Sequence, residues 1–490
     1  MKHANFTRSS ANFWGTAILY VCFFASPSYS SLTSELNELF TKQTPPQSEW
    51  SVLFESLDNG KSIYSLSPRN RLIPASNMKI AVCAAILLRL GPDFVYETGL
   101  YSYGKASGST LNGDLIVEGS GDPSIGGRFH DGDVTFPLRQ WAAALKIIDI
   151  KTVSGNIIGV DDVFDDEAHG LNWDPSYFSH WYAAEISGLS FNDACIDFTV
   201  TGAKTAKAKP SVSLSPDTNY ITFENNAQTV SSQKQASGIS IVHESDSTVF
   251  RLNGSIRAKS VNTHPASIPN PTLFFATVFK ETLQNEGIQV KGDAQDGDAV
   301  KSLPNRSQWN LIDVIKSPPL IDLISVCLKN SQNLYAEHFL KTLGSHDYGE
   351  GSVKMGALAL KDVFFKNGCD LDGQFIADGC GLSRENRISA ESIVRVMRCM
   401  EASPYGKIFR EALSVAGEDG TLKRRMANSA ADGRVWGKTG TINGVRALSG
   451  CIQAKSGKTY LFSMLANGRR SAVQFTQIMD DACVLVCEKG

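Results

Sequence analysis

The stretch Ser76-Asn-Met-Lys-Ile-Ala-Val-Cys-Ala-Ala-Ile-Leu-Leu-Arg-Leu90 decides the fold. Pro74 precedes it and Gly91-Pro92 follows it, and prolines and glycines in these positions mark the two ends of a helix. The segment is apolar on nearly every side, which predicts a buried helix. Ser76 and Lys79 stand three residues apart and therefore share one face of that helix. The sequence thus predicts a hydroxyl and an amine side by side at the start of a buried helix.

Patterns at the two ends of the chain predict an α/β domain that is built from two separate segments. Asp58-Asn-Gly60 predicts a tight turn between two strands near the N-terminus. Alternating runs predict further strands at 51–56, 435–442 and 459–465. An apolar run predicts a C-terminal helix at 472–487. We therefore predict one domain that consists of residues 31–91 and 307–490.

Residues 92–306 have a different composition, rich in Gly, Ser, Thr, Asn and Asp with short alternating runs. Such runs predict a mainly β insertion, which we divide into two small subdomains with a polar boundary near 204–210. Asn253-Gly254 predicts a hairpin turn. A helix pattern over 272–285 closes the insertion.

Composition excludes several classes of protein. The 490 residues carry 47 Lys and Arg against 50 Asp and Glu, a net charge of −3, so no nucleic-acid partner is expected. With 42% hydrophobic and 20% charged residues, the chain has the composition of a globular protein.

The first thirty residues have the order of a secretory signal peptide. Lys2 and Arg8 are basic, 13–25 is a short apolar run, and 26–30 supplies small residues for cleavage near residue 30. The alternative is a single membrane anchor, for which the apolar run is short. No later stretch is long and apolar enough to span a membrane. We expect an exported protein, periplasmic or otherwise extracytoplasmic, with no permanent membrane span.

Two further motifs follow Ser76 and Lys79 in the chain, Ser331-Gln-Asn333 and Lys438-Thr-Gly440. Each motif is weak alone: Ser102-Tyr-Gly-Lys105 also matches S-x-x-K, and Ser331-Gln-Asn333 could be a helix N-cap. Gly440 lies inside a strand pattern, where glycine often marks the close approach of another backbone. The ordered set of three is far more specific than any one motif.

These motifs, in this order, resemble the penicillin-binding protein and serine β-lactamase superfamily. The large insertion is similar to that of one branch, the D-alanyl-D-alanine carboxypeptidase/endopeptidase family S13. Four further segments look like signatures of this family: Gly119-Ser-Gly-Asp-Pro123, Asp378-Gly-Cys-Gly-Leu-Ser-Arg384, Ala416-Gly-Glu-Asp-Gly-Thr-Leu422 and Gly444-Val-Arg-Ala-Leu-Ser-Gly450. The resemblance implies a transpeptidase-like domain with a central antiparallel sheet, helices on both of its faces, and the mainly β insertion.

A serine hydroxyl needs a base within hydrogen-bond reach before it attacks a carbonyl. A lysine can be that base when burial and a nearby cation disfavour its charge. Lys79 lies on the buried helix, and the resemblance places Lys438 close to it. The resemblance implies that Ser76 attacks the carbonyl of a penultimate D-alanine while Lys79 accepts the proton.

The resemblance also assigns the other roles. The backbone N–H groups of Ser76 and Thr441 would hold the oxyanion, and Ser331, held by Lys438, would pass a proton to the departing amine. Asn333 would hold the substrate amide. The K-T-G strand would bind the terminal carboxylate, through Lys438, Thr439, Gly440 and Thr441.

Two more residues are expected to bind a diamino acid of the substrate. Arg384 matches its motif directly. For the acid in the insertion, both Asp161 and Asp162 stand near the expected place, and we choose Asp161. Gln332 replaces the more usual Asp of the middle motif, and we expect that change to be tolerated.

The expected partners are peptidoglycan stem peptides that end in D-Ala-D-Ala or carry a D-Ala-diamino acid cross-link, with β-lactams as covalent inhibitors. No cofactor is expected. No Cys or His spacing matches a zinc site, and the nine cysteines after residue 30 are expected to be mostly buried apolar residues.

Two other functions remain open at the sequence level. One is a serine β-lactamase or esterase, whose deacylating acid would be Glu281 in the only E-x-x-x-N match between the first two motifs. The other is a catalytically silent peptidoglycan-binding protein that keeps the fold.

Overall fold

The computed structural model of the chain describes residues 31–468 and 472–490, together with Met1. The predicted signal peptide lies outside the described residues, apart from Met1. Within the described residues, no helix combines the length and the apolar character that crossing a membrane requires.

The elements follow one another in three groups along the chain. The first group is α1 (Leu32–Lys42), β1 (Glu49–Ser56), β2 (Ser62–Leu66), β3 (Arg71–Leu72) and α2 (Met78–Leu90). The second is β4 (Glu97–Ser107), β5 (Thr110–Glu118), α3 (Phe136–Ile147), β6 (Thr152–Val153), β7 (Ile157–Val160), β8 (Cys195–Thr201), β9 (Ser211–Ser215), β10 (Thr222–Asn225), β11 (Gln228–Val230), β12 (Gly238–Val242), β13 (Val249–Arg257), β14 (Val261–Ser267), α4 (Pro271–Asn285), β15 (Gln289–Val290), β16 (Ala294–Asp296) and β17 (Asn310–Lys316). The third is α5 (Leu320–Lys329), α6 (Asn333–Tyr348), α7 (Val353–Lys366), β18 (Ile388–Ser389), α8 (Ala390–Ala402), α9 (Gly406–Glu411), β19 (Ser414–Val415), β20 (Val435–Ile442), β21 (Val445–Gln453), β22 (Thr459–Asn467) and α10 (Ala472–Lys489).

A six-stranded sheet joins the first and third groups in the order β19-β20-β21-β22-β1-β2, and every neighbouring pair is antiparallel. Side chains alternate between its two faces because successive residues of a strand point in opposite directions. Phe54 and Phe462 face a core that includes Phe475 of α10, while Leu53 and Leu461 face the core around α2. The predicted fold class, a central antiparallel sheet with helices on both faces, is confirmed.

The second group forms three other sheets. The largest has seven strands, with β15-β6-β5-β4-β17 as its main path, β7 paired with β5, and β16 paired with β7. It is mixed, since β4 and β5 run antiparallel while β7 runs parallel to β5. Trp141 of α3 and Phe275 of α4 belong to the core of this region. The inserted segment is therefore mainly β, as the fold prediction stated.

Two details differ from the sequence-based expectations. β17 lies beyond residue 306, yet it pairs with β4, so the sheet of the insertion extends ten residues past the boundary that we predicted. The predicted turn at Asn253-Gly254 is wrong, because both residues lie inside β13. Gly254 has φ +102, and a Cβ there would come within 2.0 Å of the Gly238 carbonyl oxygen. Gly254 allows two neighbouring strands to pack closely, so this Asn-Gly pair does not mark a hairpin turn.

Candidate active site

Ser76 lies on a single 3-10 turn, Ala75–Asn77, that leads directly into α2. Ala75 has φ +46, in the left-handed region that residues with a Cβ seldom occupy. The turn leaves Ser76 half-buried and Lys79 fully buried. The Lys79 ammonium donates to Ser76 Oγ over 2.9 Å. The structure thus brings together the two side chains that the helix pattern placed on one face.

Lys79 Nζ has three acceptors, which is the number that a lysine ammonium can serve. Besides Ser76 Oγ, these are Asn333 Oδ1 at 2.7 Å and the Cys380 carbonyl oxygen at 2.9 Å. The amine is therefore fixed between the first two motifs, with one of its three contacts directed at the Ser76 hydroxyl.

Ser331 and Lys438 form the second hydroxyl–amine pair of the site. Lys438 Nζ donates to Ser331 Oγ over 2.8 Å and to the Thr439 carbonyl oxygen over 2.9 Å. Ser331 has φ +58, so its backbone is held in the left-handed region. Complete burial lowers the pKa of Lys438 to about 7, with a further contribution from the positive charge of Lys79. A second amine that can exchange a proton near neutral pH therefore lies beside Ser331.

The turn that carries Ser76 packs directly onto the K-T-G strand. A Cβ at Gly440 would lie 2.8 Å from the Pro74 carbonyl oxygen, closer than Cβ atoms approach an oxygen, so this glycine permits the contact. Buried Asn77 adds a bond across the same gap, because its Nδ2 donates to the Lys438 carbonyl oxygen over 2.8 Å. Asn77 Oδ1 accepts from the Ser449 hydroxyl at 2.5 Å. The close backbone approach that Gly440 suggested is present.

Two buried carboxylates shape the loop that supplies the Cys380 carbonyl. Glu337 accepts the N–H groups of Gly379 and Cys380 at 2.9 and 2.8 Å, and Asp378 accepts that of Gly381 at 2.8 Å. Burial raises the pKa of Glu337 to about 7, and the charge of Asp378 adds to that effect. Gly381 has φ +86, and a Cβ there would lie 1.8 Å from the Ala75 carbonyl oxygen. The loop thus holds both the Ser76 turn and one acceptor of Lys79.

A cleft of about 350 Å³ opens above Ser76. Motif residues line it together with three aromatic residues of the insertion; its lining includes Ser76, Ser331, Asn333, Thr441, Tyr177, Trp181 and Tyr182. Thr441 is exposed at the end of β20. Thr439 is half-buried, and its hydroxyl donates to Thr421 Oγ1 over 2.9 Å. The cleft has the Ser76 hydroxyl on its floor and polar groups on both walls.

Asn333 makes a contact at each end of its side-chain amide. Its Oδ1 accepts from Lys79, and its Nδ2 donates to the Tyr182 carbonyl oxygen at 2.5 Å. The oxygen can accept a second bond and the NH2 group can donate a second one, so Asn333 can hold a substrate amide without losing either contact. That role of Asn333 stays a prediction.

Arg384 is exposed next to the cleft. Its Nη1 donates to the carbonyl oxygen of Asn443 over 2.8 Å, and Asn443 lines the cleft beyond Thr441. The guanidinium is therefore within one residue of the cleft, where a substrate side chain could reach it.

Asp161 lies elsewhere. It lines a separate acidic cavity that also includes Glu185 and Asp298, and it is not among the residues that line the Ser76 cleft. Its Oδ2 accepts the hydroxyls of Ser187 at 2.8 Å and Thr272 at 2.5 Å. Both bonds fix Asp161 to its own cavity wall, so the structure does not bring it to the cleft as we expected.

Glu281, the acid that a β-lactamase would need, lies on α4 and accepts the backbone N–H of Asn219 at 2.9 Å. It does not line the Ser76 cleft. No contact in the described chain supports a deacylating role for it.

Two groups of side chains have oxygen or sulfur atoms close enough to surround a metal ion: Glu337, Asp378 and Cys380, and Asp161, Asp162 and Asp298. The carboxylates of the first group already accept backbone N–H groups, as described above. Neither group lies in the lining of the cleft.

Sequence reasoning missed Asn77, Glu337 and Asp378. Of Ser76-Asn-Met-Lys79, only the Ser and the Lys were used for prediction, and Glu337 was not singled out. Asp378 was quoted only as part of a family signature. Glu337 follows Asn333 by one helical turn, but α6 also carries His338 and Lys341, so polarity within the helix did not single out Glu337.

The chain is similar to known proteins over almost its whole length. The sequence model of the D-Ala-D-Ala carboxypeptidase 3 (S13) family matches residues 32–488. A D-alanyl-D-alanine carboxypeptidase of Actinomadura sp. is 29% identical over 425 residues, which cover 84% of this chain and 76% of the relative. D-alanyl-D-alanine carboxypeptidase DacB of Haemophilus influenzae is 24% identical over 464 residues, 93% of this chain and 92% of the relative.

A solved structure shares the fold. The crystal structure of penicillin binding protein 4 (dacB) from Haemophilus influenzae superposes with a TM-score of 0.79 at 22% identity, covering 92% of this chain and 99% of that one. A second structure of that protein, in complex with a β-lactam, superposes with a TM-score of 0.71 and covers 91% of this chain and 98% of that one.

Proposed function

The chain belongs to the D-Ala-D-Ala carboxypeptidase 3 (S13) family, and we propose that it acts as a serine-type D-Ala-D-Ala carboxypeptidase through an acyl-enzyme on Ser76. The observation that carries this proposal is the 2.9 Å contact between Lys79 Nζ and Ser76 Oγ at the floor of the cleft. A hydroxyl in contact with a buried amine is the arrangement that serine nucleophiles without a histidine require.

Acylation begins when Ser76 Oγ attacks the carbonyl carbon of the penultimate D-alanine. The form that reacts has Lys79 as a neutral amine and Lys438 as the ammonium. The hydroxyl proton passes to Lys79 Nζ, and the carbonyl oxygen becomes an oxyanion. The backbone N–H groups of Ser76 and Thr441 stabilise that oxyanion. Removing one such donor raises the barrier of acyl-transfer enzymes by about 3–4 kcal/mol.

The C–N bond then breaks, and the departing amine needs a proton. The Ser331 hydroxyl supplies it and is resupplied by Lys438, which donates to Ser331 Oγ at 2.8 Å. Because the pKa of Lys438 is lowered to about 7, the release of this proton is not strongly uphill near neutral pH.

Water completes the cycle. It attacks the acyl carbon, its proton returns to Lys438 through Ser331, and Lys79 returns the first proton to Ser76 Oγ as the ester breaks. The products are the shortened peptide and free enzyme, and the protonation of both lysines is restored.

The terminal carboxylate of the substrate binds to the K-T-G strand, at Lys438, Thr439 and Thr441. Gly440 keeps the strand close to the Ser76 turn. Arg384, next to Asn443 at the end of the cleft, binds the acidic group of a diamino acid side chain. The substrate class is therefore a peptidoglycan stem peptide that ends in D-Ala-D-Ala.

The same chemistry cleaves a cross-link when the departing amine belongs to a diamino acid, so D,D-endopeptidase action belongs to this proposal. A β-lactam presents a strained amide to Ser76 and remains attached as an ester, which makes it a covalent inhibitor. Because this substrate lies outside the cytoplasm, the proposal includes export through the N-terminal signal peptide.

A fluorescent penicillin tests the proposal. We expect the wild type and Ser102→Ala to be labelled and Ser76→Ala to remain unlabelled. Ser102 is a matched control because it also begins an S-x-x-K sequence, on β4 outside the cleft. Slow loss of the label supports a peptidase, fast loss would support a β-lactamase, and a folded wild type that never labels would support the silent wall-binding alternative.

A further inference from the structure

A second cavity, of about 610 Å³, adjoins the cleft on the far side of the S-x-N motif. Trp181 lines both the cavity and the cleft, so the two spaces share a wall. The four residues 330–333 alternate between them. Ser331 and Asn333 line the cleft, whereas Asn330 and Gln332 line the cavity. We call this space the Gln332 cavity.

The Gln332 cavity contains a buried acceptor that lacks a donor. Gln332 is only 5% exposed, and its Nε2 donates to Asp193 Oδ2 over 3.0 Å. Its Oε1 has no hydrogen-bond partner among the residues that the structure describes. Buried polar atoms are nearly always paired, so this unpaired amide oxygen, which is itself covered at the cavity wall, indicates a missing donor that a turn of the Gln332 side chain would admit.

The wall behind Gln332 is rigid and strained. Arg128 forms an ion pair with Asp193, the same carboxylate that holds Gln332. Asn192, Asp193 and Ala194 have consecutive φ values of +50, +57 and +51. Asn and Asp tolerate the left-handed region better than most residues, but three such residues in a row, ending in Ala, are unusual, and such backbone strain concentrates at functional sites. Backbone strain is therefore present at Asp193, the residue that accepts the hydrogen bond from Gln332.

The proposed reaction indicates which part of a substrate would enter this space. Ser331 gives its proton to the departing amine, so the group that carries this amine lies beside Ser331. The neighbours of Ser331 on the other side of the motif, Asn330 and Gln332, line the cavity. A leaving group longer than a single D-alanine therefore extends past Ser331 into the Gln332 cavity.

We propose that the Gln332 cavity binds the segment of a cross-linked peptide that lies on the amine side of the scissile bond, with an N–H of that segment donating to Gln332 Oε1. This inference rests on the proposed acyl-enzyme mechanism and adds a binding site for the leaving strand. Release of a single D-alanine does not use the cavity, because that leaving group is only one residue long. The cavity thus favours endopeptidase action.

The test compares two reactions of the full chain. The first is cleavage of a purified cross-linked muropeptide dimer, and the second is release of D-alanine from a monomeric pentapeptide. We expect Gln332→Leu, which is similar in volume and removes both the acceptor Oε1 and the donor to Asp193, to lower the ratio of dimer to monomer kcat/KM about tenfold. Gln289→Leu, the same change at an exposed residue of β15, should leave that ratio at the wild-type value.

A second variant guards against local disruption of the S-x-N motif. Val134 lines the cavity away from residues 330–333, and Val134→Trp should lower the same ratio by filling the space. The rate of labelling by a fluorescent penicillin shows in each variant whether Ser76 is still positioned.

An unchanged ratio in both variants would overturn the inference, and so would an equal loss of both reactions in Gln332→Leu. A wild type that releases D-alanine but never cleaves the dimer would also overturn it, while leaving the proposed carboxypeptidase intact. If the wild type neither labels nor releases D-alanine, the proposed function itself fails, and this inference fails with it.

Discussion

Replacing Lys438 with Met should make the protein more stable and less active at once. Lys438 is fully buried, and its nearest charged neighbour is another cation, Lys79. Lowering a lysine pKa from 10.5 to about 7 costs the folded state about 5 kcal/mol at pH values below 7, where the folded and unfolded chains both carry the proton. Met has a similar length and removes the buried charge. Because some hydrogen bonds of Lys438 are also lost, we expect a net gain of about 2–4 kcal/mol at pH 6.

The pH dependence has a definite sign. Above pH 7 the folded chain releases the Lys438 proton while the unfolded chain keeps its own up to about pH 10.5. The folded wild type then becomes more stable relative to the unfolded chain as pH rises through this window. The advantage of Lys438→Met should therefore shrink by about 3 kcal/mol between pH 6 and pH 9.

Urea unfolding at both pH values measures this change, and penicillin labelling measures the activity. Loss of the proton donor to Ser331 should slow acylation at least about 100-fold. Lys341→Met is a matched control, because Lys341 is equally buried but paired with Asp165 at 2.5 Å, so its replacement should destabilise the protein by about 1–3 kcal/mol. The reasoning is refuted if Lys438→Met is less stable than the wild type at pH 6, or if its advantage does not fall at pH 9.

Three further substitutions test the positioning of the site. Asn77→Ala leaves the Lys438 carbonyl and the Ser449 hydroxyl without this partner and should lower the free energy of unfolding by about 2–4 kcal/mol in urea; a loss below 0.5 kcal/mol would contradict the contacts. Gly381→Ala forces the Ser76 turn to move, and stopped-flow measurement of penicillin acylation should show a loss of about 100-fold, whereas an unchanged rate would mean that the loop does not position Ser76. Glu337→Gln removes a carboxyl whose pKa is raised from 4.5 to about 7, so the folded wild type loses stability as pH rises through that window and the variant does not. The free energy of unfolding of the wild type minus that of the variant, measured by urea titration, should then be about 3 kcal/mol larger at pH 4.5 than at pH 7. A change of opposite sign would refute the assignment.

Local patterns in the sequence predicted the elements that carry the motifs. Val435–Ile442 matches β20, and the buried helix after Ser76 is α2, because strand alternation and helix punctuation are local properties. The first and last segments share one sheet, as the order of elements at the two ends of the chain predicted. The pairing of individual strands followed from no local pattern, since alternation does not show which strands pair.

Contacts between distant residues were the part that the sequence did not reveal. Asn77 and Ser449 are 372 positions apart, and Glu337 reaches Cys380 across 43, so no pattern along the chain joins them. Asp161 is a different case, and its role as a substrate-binding residue stays a prediction. Its place in the chain resembled the family pattern, but the fold directs it to Ser187 and Thr272 in a different cavity. Burial and pairing in three dimensions decided these roles.

The most direct test of an acyl-enzyme on Ser76 is tryptic mapping of the protein after reaction with a β-lactam. Cleavage after Arg71 and Lys79 releases the peptide 72–79, in which Ser76 is the only hydroxyl residue. We predict that mass spectrometry finds this peptide heavier by the full mass of the β-lactam. An adduct on any other peptide, or a folded protein that carries no adduct, would contradict the account.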